Sequence, residues 1–393
     1  MSINYMKKIF KIIGIIVFLF IMSGISSIII EHYIFSKISS YPIFSRSNFL
    51  KKFTENTTII NRTEQVIVKE DSSVNKVASQ TSASVASIIS YSERKSPIAP
   101  KKNPSRPVPL TEKSGTGIIA TSDGLIVTYR GAILESNAKY VIFFPNGSAT
   151  EAQLVGLDDF SDLAYLKIES TNLTAISFSN SQDSFAGKKV IAIGNSLGEY
   201  QNRYAIGILN QIDKTFNISG TTLSSSEKLE GVFETDFTNK KEYIGSPVID
   251  YNGELVGIIG SLMIDSQEKY FTIPSNTIKK SLELLNSGGL QSRPKLGIYY
   301  IPITKTYSII HNLPKDKGAL VYSSSGKQGL AVISGSPAEK SGIMINDIIL
   351  SINDQEINLD NPLSNILSQH RKGDQIKLRI FRNQQETTLE DNL

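Results

Sequence analysis

Few side chains in this sequence could drive a covalent reaction, and their placement limits which one. Cysteine is absent, which excludes a thiolate nucleophile, thiolate zinc sites and disulfides. Histidine occurs at His32, His311 and His370 alone, so the stretch from Ser82 to Gly289 has no imidazole. A hydroxyl nucleophile in that stretch needs some other base. The irregular loop Lys240-Lys241-Glu242-Tyr243-Ile244-Gly245-Ser246-Pro247 offers one combination, Ser246 with Lys240 or Lys241. Serine–lysine catalysis exists on other folds. It requires a desolvated lysine, and the simpler reading of Ser246 is a small residue ahead of Pro247. Neither a metal nor a cofactor is expected.

The elements around this loop are mostly short strands. "VID" and "ELVGI" flank Tyr251-Asn252-Gly253, and Asn-Gly is a strong hairpin signal. "TGIIA" and "LIVTY" flank Ser122-Asp123-Gly124, and "YVIFF" and "ATEAQLVGL" flank Asn146-Gly147. Many short apolar runs with Gly-rich turns indicate an all-β barrel or sandwich. One helix closes the region: Ser275 is its expected cap, Ile278, Leu282 and Leu285 share a face, and Gly288-Gly289 ends it.

A second domain begins near Pro294, with strands at "LGIYYI", "GALVYS", "DIILSIN" and "IKLRIFR". Ser336-Pro337-Ala338-Glu339 reads as a capping box with proline at the first helical position. A further helix is expected from Pro362 to about Gln369, with Leu363, Ile366 and Leu367 on its apolar face.

At the other end, Lys7, Lys8 and Lys11 precede the uncharged run Ile12–Ile30, which spans about 28 Å as a helix, close to a bilayer core. The lysines place the N-terminus in the cytoplasm and the main domains outside it, with a cleaved signal peptide as the rival reading. A polar spacer follows to about Asp71. The net charge of +4 is too small to argue for nucleic acid. The basic, proline-rich stretch between Ser90 and Ser114 reads as a solvated loop.

The series "SGTGIIATSDGLIVT", "FSDLAYLKIE", "GKKVIAIGNSLGE", "GSPVIDYNGELVGI", "YFTIPSN" and "ISGSPAEKSGIMINDIILSIN" resembles the HtrA/Deg family over roughly Val66 to Glu386. The resemblance implies a mainly β protein: a chymotrypsin-like double β-barrel over residues 72–289 and a PDZ domain over 294–390. Behind them would stand the transmembrane helix within residues 1–30 and the spacer of 31–71. By this resemblance the triad histidine falls on Gly131, the aspartate on Asp162 and the serine on Ile244, with Glu242 and Gly245 in the oxyanion loop. Two of the three triad positions therefore lack the required group, and the Glu242 carboxylate is expected to repel an oxyanion. Asp162 is left with a structural role.

The PDZ resemblance assigns the carboxylate-binding loop to Leu296-Gly297-Ile298, the receiving strand to Ile298–Ile301, and the opposite wall to Leu363, Ile366 and Leu367. Such domains add an extended peptide to a sheet edge. The expectation is a membrane-anchored pseudoprotease that binds unfolded proteins or peptide C-termini in extracytoplasmic quality control. The family implies a homotrimer or a mixed assembly with an active relative. The competing expectation is an active endopeptidase rearranged around Ser246.

Overall fold

The computed structural model describes residues 74–93, 110–135, 137–194, 202–220 and 226–393, together with Ile15 and Met22. The expected anchor within residues 1–30, apart from Ile15 and Met22, the spacer of 31–71 and most of the basic, proline-rich loop lie outside the described residues. Among the described residues no helix is long and apolar enough to cross a membrane.

Strands β1 (Val85–Glu93), β2 (Leu110–Ile119), β3 (Leu125–Tyr129), β4 (Lys139–Phe143), β5 (Ala149–Asp158) and β6 (Leu163–Lys167) close a barrel in the order β1-β2-β3-β6-β5-β4. After the short β7 (Ser177–Phe178) come β8 (Lys189–Gly194), β9 (Arg203–Asn217), β10 (Glu230–Thr235), β11 (Pro247–Ile249), β12 (Glu254–Ile264) and β13 (Gln267–Pro274). They run β11-β8-β9-β10-β13-β12, and pairing of β11 with β12 closes the second barrel. The turns read from sequence lie where expected: Gly124, Gly147 and Gly253 all take positive φ, which glycine adopts without steric cost.

Strand β3 shows how the barrels join. Its five residues are all buried. Alternate strand residues point to opposite faces, and here each face has its own apolar layer. Ile126 joins Ile88, Ile142 and Leu166 in one cluster. Leu125, Val127 and Tyr129 join Ile191, Ile193, Ile258 and Phe271 of the second barrel in another. A strand buried on both faces reads as a nearly continuous apolar run, and "LIVTY" is one, broken only by Thr128.

Helix α1 (Ser275–Asn286) packs Ile278, Leu282 and Leu285 on the inter-barrel cluster. Its cap differs from expectation. Pro274 occupies the cap position, and Ser275 is the first helical residue, its Oγ donating to the Ser179 carbonyl at 2.9 Å. A buried carboxylate ties this helix to the barrel. Asp158 Oδ2 accepts from Ser161 Oγ (2.7 Å), Ser281 Oγ (2.5 Å) and Arg293 Nη2 (2.7 Å), and Oδ1 accepts from the Phe160 amide (3.0 Å).

The remaining chain forms a third sheet, β14 (Tyr300–Pro302), β15 (Ala319–Val321), β16 (Ile348–Ile352), β17 (Gln355–Glu356), β18 (Gln375–Arg382) and β19 (Gln385–Asn392). Helices α2 (Lys305–Ile310), α3 (Pro337–Lys340) and α4 (Leu363–Leu367) accompany it. The order is β14-β15-β16-β18-β19, which leaves β14 at an edge. The strand expected at Ile298–Ile301 is shifted: β14 starts at Tyr300, and Ile298 forms an isolated bridge with Val332. The capping box is half formed. Ser336 Oγ accepts from the Glu339 amide, but the Glu339 carboxylate reaches the Gly335 amide instead of that of Ser336.

Candidate active-site region and peptide groove

The structure brings together the three positions that the resemblance assigns to the triad, Gly131, Asp162 and Ile244. Gly131 lies in a single 3-10 turn, Arg130–Ala132, directly after β3. The Arg130 amide donates to the Asp162 carbonyl at 2.7 Å, which sets the Asp162 loop beside that turn. The loop of Ile244 docks on the same wall: the Thr116 amide donates to the Ile244 carbonyl (3.2 Å), and Thr128 Oγ1 donates to the Thr116 carbonyl (2.6 Å). Gly245, at φ +83°, fits here because a Cβ would collide with the Thr116 carbonyl and Thr128 Oγ1.

At the histidine position the space is filled from elsewhere. A Cβ at Gly131 would overlap Tyr129 Cε1 and lie 2.9 Å from Cζ. The Tyr129 ring is fixed there: it is 4% exposed, its hydroxyl donates to the Ser261 carbonyl at 2.6 Å, and its edge meets Phe271 at 89° with centroids 5.9 Å apart. Burial, and then the nearby Asp162 charge, push the phenol's pKa up, so it stays a neutral donor. No sequence motif pointed to Tyr129. The signal was an aromatic closing a wholly buried strand.

Asp162, at φ +52°, is itself buried, and Lys228 Nζ holds its Oδ1 at 3.0 Å. Burial raises its pKa, and the lysine opposes that rise. The carboxylate thus has a cation for a partner in place of an imidazole. The described histidines are engaged in the third sheet's domain: the His311 ring stacks on Tyr307 at 4.1 Å, and His370 Nδ1 lies 3.8 Å from Asp374 Oδ2. His32 lies outside the described residues.

The oxyanion loop differs from expectation in one respect. The Glu242 carboxylate is not left facing a reaction centre, because Arg203 Nη1 binds its Oε2 at 2.9 Å. What the loop lacks is a donor. Lys240–Tyr243 form a 3-10 turn, and the Glu242 amide donates to the Asn239 carbonyl at 2.9 Å. In the triad arrangement the amides of the nucleophile and of the residue two before it hold the oxyanion. The second of these is used within the turn. Ser246 is 0% exposed, and its Oγ has no hydrogen-bond partner among the described residues. The Lys240 ammonium is bound to the Thr235 carbonyl, and Lys241 is exposed. Nothing in this arrangement pairs a lysine with Ser246.

In the third domain, Gly297 takes φ +83°, and the amides around it converge on one point. That point holds the Glu227 carboxylate, from the loop before β10. The Leu296 amide donates to Oε1 at 2.9 Å, and the Gly297 amide donates to both oxygens, at 3.2 and 3.1 Å. Leu363, Ile366 and Leu367 are buried in one core cluster with Leu296 and Ile298. The expected apolar wall is therefore part of the core of its own domain. Gly297 is also required by packing, because a Cβ would strike Ser336.

Residues 115–258 match the trypsin-like peptidase domain and residues 294–393 the PDZ domain. The chain is 32% identical over 290 residues to the serine protease Do-like HtrA of Bacillus subtilis (strain 168), covering 70% of this chain and 62% of that protein. It is 30% identical over 281 residues to a probable periplasmic serine endoprotease DegP-like of Chlamydia trachomatis, covering 70% of this chain and 53% of that one. The chain thus spans less than two thirds of the length of either relative. Among solved structures, the HtrA-type protease AlgW with decapeptide shares the fold at TM-score 0.61 and 24% identity, over 80% of this chain and 96% of that chain. The serine endoprotease from Yersinia pestis does so at TM-score 0.52, 24% identity, and 81% and 96% coverage. With two closed barrels, a PDZ domain behind them and these relatives, the chain belongs to the HtrA/Deg family.

Proposed function

We propose that this chain is a pseudoprotease: its barrels hydrolyse no peptide bond, and it serves as a peptide-binding or scaffolding subunit in extracytoplasmic protein quality control. The observation that carries this reading is the lost imidazole. Gly131 stands at the histidine position, the Tyr129 ring takes the space beside it, and no histidine occurs between Ser82 and Gly289. Without a base to take its proton a hydroxyl is a weak nucleophile, and Ile244 supplies no hydroxyl. Asp162 then serves the fold, as the partner of Lys228.

The rearranged endopeptidase is the weaker reading. Ser246 is buried, and the lysines of its loop are turned to other tasks. Peptide binding is supported by the amide nest at Leu296-Gly297-Ile298, which already holds a carboxylate, and by the edge position of β14. Membrane anchoring through Ile12–Ile30 and assembly as a homotrimer, or with an active relative, complete the proposal.

The test is proteolysis of unfolded casein by the fragment from Val66 onward, with labelling by a serine-directed fluorophosphonate. Neither turnover nor labelling is expected. Turnover that disappears in Ser246→Ala would establish the rearranged site instead.

A further inference from the structure

We propose that the PDZ groove is closed by an internal ligand: the barrel segment Glu227–Glu230 occupies it, with the Glu227 carboxylate seated where a peptide's C-terminal carboxylate would bind. The inference rests on the peptide-binding reading above and adds to it the competitor that any peptide must displace.

A glutamate side chain and a chain terminus present the same group, two anionic oxygens on a trigonal carbon. Successive backbone amides turned inward by a left-handed residue form an anion nest. Here the Leu296 and Gly297 amides bind the Glu227 oxygens at 2.9 to 3.2 Å, and the Ile298 amide adds to them. Among the described residues no lysine or arginine forms an ion pair with this carboxylate, so the nest is its chief compensation for leaving water.

The segment also reaches the opposite wall of the groove. Ser364 Oγ lies 3.4 Å from Glu230 Oε2, and Asn365 Nδ2 donates to the Glu230 carbonyl at 3.3 Å. Both partners sit on α4, the helix that faces β14 across a PDZ groove. One run of four residues therefore touches the nest and the helix together, as a bound peptide would. From the barrel side the same run is held by Lys228 on Asp162 (3.0 Å) and by the Leu229 amide on the Phe160 carbonyl (2.9 Å). The seal is thus strung between the two domains.

A site that is open only part of the time binds with its intrinsic affinity scaled by the open fraction. Removing the Glu227 carboxylate should raise peptide affinity by up to about tenfold if the groove is closed for about nine tenths of the time.

The test uses the full chain with two readouts. The first is hydrogen exchange at the Leu296, Gly297 and Ile298 amides in the wild type, Glu227→Ala and Glu227→Gln. Exchange should be up to about tenfold faster in Glu227→Ala, with Glu227→Gln intermediate because it keeps the shape and one acceptor. The second is fluorescence anisotropy with a fluorescein-labelled decapeptide pool ending in Val, Leu or Phe, as free acids and as amides. Glu227→Ala should bind the free acids more tightly than the wild type and gain nothing for the amides. Unchanged exchange in both variants overturns the internal ligand, as does equal free-acid affinity in the wild type and Glu227→Ala. Faster exchange with no peptide bound by any form upholds the internal ligand and overturns the peptide-binding reading.

Discussion

Replacing Gly131 by alanine is a small change with a large expected effect. Gly131 is not in a left-handed conformation, so the backbone accepts an L side chain, and the cost is steric. The new methyl would overlap the Tyr129 ring. Keeping the ring in place means overpacking, about 1–3 kcal/mol. Moving it breaks the hydroxyl's bond to the Ser261 carbonyl, about 1 kcal/mol or more, and the edge-to-face contact with Phe271, about 0.5–1.5 kcal/mol. Either route destabilises by about 2 kcal/mol. With an m-value of about 2 kcal/mol/M in urea, the denaturation midpoint of the fragment from Val66 should fall by about 1 M. In a Tyr129→Ala background the same Gly131→Ala change should have almost no effect, a coupling of about 2 kcal/mol across the cycle. An equal cost in both backgrounds would refute the claim that Tyr129 holds the imidazole's space. The same geometry explains why Gly131→His with Ile244→Ser should stay inactive. The ring blocks the histidine, and the Glu242 amide is bound within its own turn, a missing oxyanion donor worth about 10²–10³ in rate.

Arg293→Met should be strongly destabilising, by about 3–5 kcal/mol in urea denaturation, because it leaves the buried Asp158 charge without its cation. A cost below about 1 kcal/mol would show that Ser161 and Ser281 suffice. Burial pushes the Glu227 carboxyl up to about 7, against the pull of the nest amides and Lys295. The sealed carboxylate therefore takes up a proton at a higher pH than the open one, so raising the pH from about 5 to 7 favours opening. Peptide affinity should rise across that window in the wild type and be flat in Glu227→Gln. The charged and titratable groups around the seal are Lys295, Lys228, Glu230 and Tyr300. A pH dependence unchanged in Glu227→Gln would assign it to one of those.

The strands and turns were legible because their signals are local. The Asn252-Gly253 hairpin and the capping serine at 336 each depend on residues within a few positions. The absence of histidine from Ser82 to Gly289 was equally legible, since it needs no fold. What sequence reasoning missed was made by distant pairs. Arg203 neutralises Glu242, Tyr129 fills the space at Gly131 through a contact with Ser261, and Glu227 enters a nest some seventy residues on. No periodicity encodes such meetings. Glu227 in particular reads as one more polar residue in "SSSEKLE", and only the register of two domains turns it into a ligand. The shift of the PDZ strand from Ile298 to Tyr300 has a similar origin, because Ile298 is drawn to Val332 instead.

The Asp158 cluster has a mechanical consequence. It clamps the chain on both sides of Gly288-Gly289, at Ser281 and at Arg293, whose guanidinium also lies 4.4 Å from the centre of the Phe160 ring. The flexible-looking glycines are therefore spanned by a brace, and the freedom to pivot is displaced to Pro294 and Lys295. Proline fixes one torsion of that pair. The pivot ends where Leu296 begins the amide nest. A ligand entering the nest would thus bear on the chain directly beside the link between the brace and the domain beyond.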